Sequence, residues 1–111
     1  MYILVYWMAG SEEEACTISQ DLVKKKLAGC VNLIPKVTSI YFWEGKVHKD
    51  EEVKVIIKTH KSKFGALKEY IQKKSSYEVP EIISVSIDEG SKEYLKWLQE
   101  CIPLVIQELA F

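Results

Sequence analysis

A chain of 111 residues has room for one hydrophobic core, and 48% apolar with 28% charged residues is the balance of an ordinary folded globular domain. A net charge of −1 supplies no overall attraction to nucleic acid or anionic lipid, so neither is expected as a partner. Three cysteines at wide spacing, Cys16, Cys30 and Cys101, with no Cys-x-x-Cys pair, do not make a disulfide framework and suit a cytoplasmic protein with reduced thiols.

Residues 1–111 are expected as a single domain. The run "YILVYWM" at 2–8 is β-branched and aromatic, apolar at nearly every position, and predicts a strand covered on both faces. It is too short to span a bilayer and lacks the basic flank of a signal peptide. A helix follows. Ser11 is its expected cap and Glu14 the second half of a capping box. Glu12 to Glu14 and Lys24 to Lys26 stand at the ends where the macrodipole favours their charges. Ala15, Ile18, Leu22 and Leu27 form its apolar stripe, and Gly29 reads as its C′ residue.

Residues 30–59 predict a long hairpin about a tight turn at Glu44-Gly45, with Pro35 marking a bulge, bend or edge in the first arm. Its tip carries Tyr41, Phe42 and Trp43, more aromatic surface than so small a domain can cover, which points to a partner. Ser62 is the expected cap of a second helix with Phe64, Leu67 and Ile71 inward. The stretch "PEIISVSID" predicts a strand with Ile83, Val85 and Ile87 on one face. Ser91 opens a third helix burying Tyr94, Leu95, Leu98 and Cys101, and Pro103 stops it. The tail 104–111 reads equally as a short strand or a helical turn. The order β-α-β-β-α-β plus a helix predicts an α+β, ferredoxin-like, antiparallel four-stranded sheet with two helices on one face.

The chemistry is sparse. No phosphate loop, nucleophile elbow or zinc helix is present, so the chain is not expected to be an enzyme. His48 and His60 lack metal-ligand spacing and are expected to be solvated. The cysteines read mostly as core residues, with Cys30 the weak candidate for a functional thiol. Glu78 and Glu81, three apart across Pro80, do not converge as an acid–base pair, so a hydrogen-bonded structural role is expected for Glu81.

The motifs "KKKLAGCVNLIP", "TSIYFWEGKVHKDEEVKVIIKT", "YEVPEII" and "YLKWL", in this order and spacing over nearly the whole chain, resemble the CutA divalent-cation-tolerance family. The resemblance implies a small cytoplasmic homotrimer, similar in architecture to the PII signalling proteins and tied to tolerance of copper and other divalent cations. It also implies that Tyr77, Pro80 and Glu81, with Tyr41 and Trp43 of the hairpin, lie at a subunit interface or cleft. Members proposed to bind copper carry His before the Tyr-x-x-Pro-Glu stretch, and some carry Cys near the end of the first strand. Here those places read Lys74-Ser75-Ser76 and Tyr6-Trp7-Met8, so direct copper binding is expected to be weak or indirect. The alternative implied by the PII likeness is a small anionic metabolite or nucleotide held in intersubunit clefts, with Lys58, Lys61 and Lys63 supplying positive charge.

Overall fold

The computed structural model describes residues 1–104; the tail from residue 105, for which strand and helical turn stay open, lies outside the described residues. The elements are β1 (Tyr2–Ala9), α1 (Glu12–Lys24), β2 (Cys30–Trp43), β3 (Lys46–His60), α2 (Phe64–Lys74), β4 (Ile82–Ser86) and α3 (Lys92–Cys101), with a 3-10 turn, Lys61–Lys63, before α2. Among the described residues all strand pairings are antiparallel, in the sheet order β2-β3-β1-β4, as the ferredoxin-like arrangement requires. Among the described residues no helix is long and apolar enough to cross a membrane.

Alternation along the strands divides the sheet into two faces. Ile3, Val5, Trp7 and Ala9 of β1 and Val53, Val55 and Ile57 of β3 point to one side, where Ala15, Ile18 and Leu22 of α1 and Leu67 and Ile71 of α2 close the core. Tyr2, Leu4 and Tyr6 point to the other and are only half-buried, so β1 is not fully covered on both faces. The third helix covers part of this second face: Tyr2 donates to Gln99 at 3.3 Å, and the Lys58 ammonium lies 5.7 Å from the Tyr94 ring centre. Leu98 and Ile102 are buried there, Leu95 and Cys101 half-buried, and Tyr94 stays exposed.

Local details both follow and correct the sequence rules. Glu44 and Gly45, both at positive φ, make the expected two-residue turn. The expected irregularity at Pro35 is a bulge between Ile34 and Val37, with Lys36 at φ 58°. The C-terminus of α1 does not use Gly29. Lys26 takes the left-handed position at φ 59°, and Leu27 N–H reaches Leu22 O at 2.9 Å, closing a Schellman motif. Gly29 instead admits α3: a Cβ there would stand 2.4 Å from Leu98 Cδ1. Ser62 does not cap α2. Its N–H donates to His60 Nδ1, so His60 is buried in the turn rather than solvated. Cys16 is exposed and Cys30 and Cys101 are half-buried, so none is the fully buried core thiol expected. On β4, Ile82 meets the core while Ile83 and Val85 are exposed on the second face.

Candidate functional site

The arms of β2 and β3 run beyond the helices and carry the tip outward, stretching the molecule to 47 × 25 × 22 Å. A 15-residue strand spans roughly 50 Å, so β3 alone sets the long axis. The two-residue turn fixes the register: Tyr41 faces His48, and Phe42 faces Val47. Side chains therefore sort onto two sides. Ile40, Phe42 and Val47 share one side and are 69%, 71% and 70% exposed. Tyr41 lies on the other, stacked on the His48 ring at 5.4 Å and hydrogen-bonded to the Asp50 carboxylate. His48 Nε2 contacts Trp43 O at 3.0 Å, so His48 is part of the tip's frame and half-buried.

Facing the tip is the loop 75–81. It is tied at both ends: Ser76 N–H donates to Glu14 Oε1 at 2.9 Å, and Met8 N–H donates to Glu81 O at 3.4 Å. Tyr77 N–H donates to Ser75 Oγ at 3.2 Å, which tightens the first turn of the loop. Between hairpin and loop lies an open cleft of about 650 Å³, with Tyr41, Trp43, Glu52, Tyr77 and Glu81 around it and Met8 at its base. Glu44 and Glu78 add two further carboxylates to its lining. This chemistry attracts cations and repels anions.

The Tyr77 phenol is pushed well above the ordinary tyrosine range, first by burial and then by its hydrogen bond to the Glu52 carboxylate. The hydrogen bond to Asp50 raises the Tyr41 phenol in the same direction. Because folding holds a proton on Tyr77 that the unfolded chain releases near pH 10, its stabilisation is complete below about pH 10 and declines as pH rises further. Tyr77→Phe, which has no proton to lose, is expected to unfold with a shallower dependence on pH above 10 than the wild-type chain. Denaturant midpoints at pH 9, 10 and 11 read this, and equal slopes in the two proteins would contradict it.

Of the residues singled out in the sequence, Tyr41, Trp43, Tyr77 and Glu81 meet at this cleft, and Pro80 is half-buried in the loop beside it. The Glu81 carboxylate is exposed and has no hydrogen-bond partner among the described residues; its main chain holds the loop, and the carboxylates that accept from the tyrosines of the cleft are Asp50, from Tyr41, and Glu52, from Tyr77. Cys30 is not brought to the cleft, since it lies nine residues before Ser39, roughly 30 Å along β2. Glu52 and Asp50 were readable in principle: a two-residue turn at 44–45 sets Tyr41 opposite His48 and diagonal to Asp50, on the side that Glu52 continues. The contact between Glu14 and Ser76, 62 residues apart, carries no local signal.

As a metal site the cleft offers carboxylate oxygens and one thioether, without imidazole or thiolate. Among the described residues no three His, Cys, Asp or Glu side chains are grouped so as to hold an ion. The donors present do not fit a resident copper ion, which prefers nitrogen and sulfur.

Residues 3–101 match the family described as CutA1 divalent ion tolerance protein. The chain is 46% identical over 98 residues to the Protein CutA homolog of Xenopus laevis, covering 88% of this chain and 65% of that longer protein. It is 48% identical over 90 residues to the divalent-cation tolerance protein CutA of Thermus thermophilus, covering 81% and 87% of the two chains. Among solved structures, the periplasmic divalent cation tolerance protein CutA from Archaeoglobus fulgidus superposes with a TM-score of 0.90 at 38% identity, over 92% of this chain and 99% of that one. A sequence match across almost the whole core and a shared backbone agree: the chain belongs to the CutA1 divalent ion tolerance family.

Proposed function

We propose that this chain serves divalent-cation tolerance as a cytoplasmic homotrimer, without catalysis, and that copper reaches it weakly or acts on it indirectly. The observation that carries the reading is the acidic, aromatic-walled cleft between hairpin tip and loop 75–81, beside an apolar tip that a single subunit leaves uncovered. Carboxylates draw divalent cations, while the lack of imidazole at Lys74-Ser75-Ser76 and of thiol at Met8 lowers affinity for copper. Three free cysteines support a reducing compartment, which cell fractionation tests. The same carboxylates oppose the anionic-ligand alternative, and Lys58 lies against Tyr94 on the second face of the sheet.

Ser75→His supplies an imidazole to the loop that faces the cleft and is expected to tighten copper(II) binding by about tenfold or more. Calorimetric titration of wild type and variant measures this. Equal affinity and stoichiometry in the two proteins would mean that the wild-type donors already suffice, and weak binding would be the wrong reading. Tight binding of a nucleotide by the wild-type protein would favour the anionic-ligand alternative instead.

A further inference from the structure

We infer that Glu14 is the positioning residue of the cleft: its carboxylate sets where loop 75–81 stands, and through the loop it places the Tyr77 wall. In a capping box the third helical residue returns its side chain to the N-cap amide. Here half of that box forms, since Glu14 N–H donates to Ser11 Oγ at 3.1 Å. The carboxylate turns elsewhere. Oε1 accepts from Ser76 N–H at 2.9 Å, and Oε2 accepts from Gly10 N–H at 3.4 Å. One side chain thus joins the end of β1 to the start of the loop.

Three features make this contact matter for the cleft. The bond falls on Ser76, the residue immediately before Tyr77. The Tyr77 ring and the Ser76 hydroxyl pack over Gly10, where an added Cβ would lie 3.4 Å from Tyr77 Cε1 and Cζ and 3.3 Å from Ser76 Oγ, so the start of the loop rests against the end of β1. From that seat the phenol reaches Glu52 on β3. The other end of the loop is held by the sheet, through Met8 N–H and Glu81 O. Releasing Glu14 frees the Tyr77 end while leaving the Glu81 end in place, so the cleft opens on one side only. The position of the loop does not depend on what the cleft binds; only its consequence for a cation rests on the function proposed above.

Amide hydrogen exchange of the intact protein, read residue by residue, tests the inference without any ligand. Glu14→Ala is expected to speed exchange at Ser76 and Tyr77 by roughly tenfold or more, with β1 and β3 amides unchanged. Glu14→Asp keeps the negative charge at the helix N-terminus but loses reach, and is expected to do the same. Glu14→Gln, with an acceptor oxygen at full reach, is expected to stay close to wild type. Ser11→Ala separates helix capping from loop positioning: it is expected to loosen the first turn of α1 and leave Ser76 protected. Unchanged Ser76 exchange in both Glu14→Ala and Glu14→Asp overturns the inference, as does equal acceleration by Ser11→Ala. Copper or manganese titration of the same variants then reports on the function: exchange that responds while wild type binds no cation leaves the positioning role standing and removes the cation reading.

Discussion

Ile40→Asp combined with Phe42→Asp is expected to lower the native mass from near three times 12.8 kDa to 12.8 kDa in light scattering. The effect is large because the two side chains are among the most exposed apolar groups of the described residues and stand together with Val47 on one side of the hairpin tip. Covering each such side chain fully contributes about 1.5–3 kcal/mol. Burying a carboxylate in its place reverses the sign, since an unpaired charge has no solvent in an apolar contact. The protomer should survive: neither residue belongs to the core formed by β1, β3, α1 and α2, so circular dichroism should keep its shape. Tyr41→Phe offers a contrast. It removes the hydrogen bond to Asp50 but little apolar area, and the assembly should persist. A double aspartate variant that still scatters at near three times the chain mass would show that this side of the tip is not a subunit contact.

That side of the tip was hard to choose from the sequence. Tyr41, Phe42 and Trp43 are consecutive, and a run of three aromatics does not say which of them face together until the register is known. The turn at Glu44-Gly45 fixes that register, and it turns Tyr41 away from the apolar side toward His48 and Asp50. Local signals were reliable where the physics is local. Ser11 and Ser91 cap their helices as expected, each accepting the N–H three residues on. Pro35 marks the bulge, and the inward stripes of α1 and α2 bury Ile18, Leu22, Leu67 and Ile71. Failures occurred where a residue had a local role to offer and a tertiary one to fill. Glu14 leaves its box for Ser76, and His60 leaves solvent for Ser62. Cys16 leaves the core side of α1 and takes a weak contact from Gln20 instead. At the cleft, only Tyr77 and Glu81 are neighbours in the chain, whereas Tyr41 and Glu52 join them through the hairpin and its strand pairing.

Gly29 shows the same competition at its sharpest. Freed from ending α1, it lies where α3 crosses the sheet, with Leu98 Cδ1 only 2.4 Å and Cys101 Cβ 3.3 Å from the position a Cβ would take. The backbone does not move away easily, because Gly29 N–H donates to Lys58 O at 3.0 Å. Its φ is not in the left-handed region, so alanine meets no backbone strain there, and without Leu98 it would be mildly stabilising. The clash decides the sign. Gly29→Ala is expected to destabilise by about 1–3 kcal/mol, the usual cost of an extra methyl in a filled core. Leu98→Ala, at a side chain with no exposure, is expected to cost about 2–5 kcal/mol through lost burial and the cavity left behind. The two should not add. Removing the Leu98 isopropyl group empties the space that the new methyl needs, so Gly29→Ala in the Leu98→Ala background should be close to neutral. Denaturant unfolding of the four proteins at one fixed concentration closes the cycle, with a coupling of about 1–3 kcal/mol expected between residues in direct contact. Simple additivity would mean that α3 already stands off the sheet, and that Gly29 is not what lets it dock.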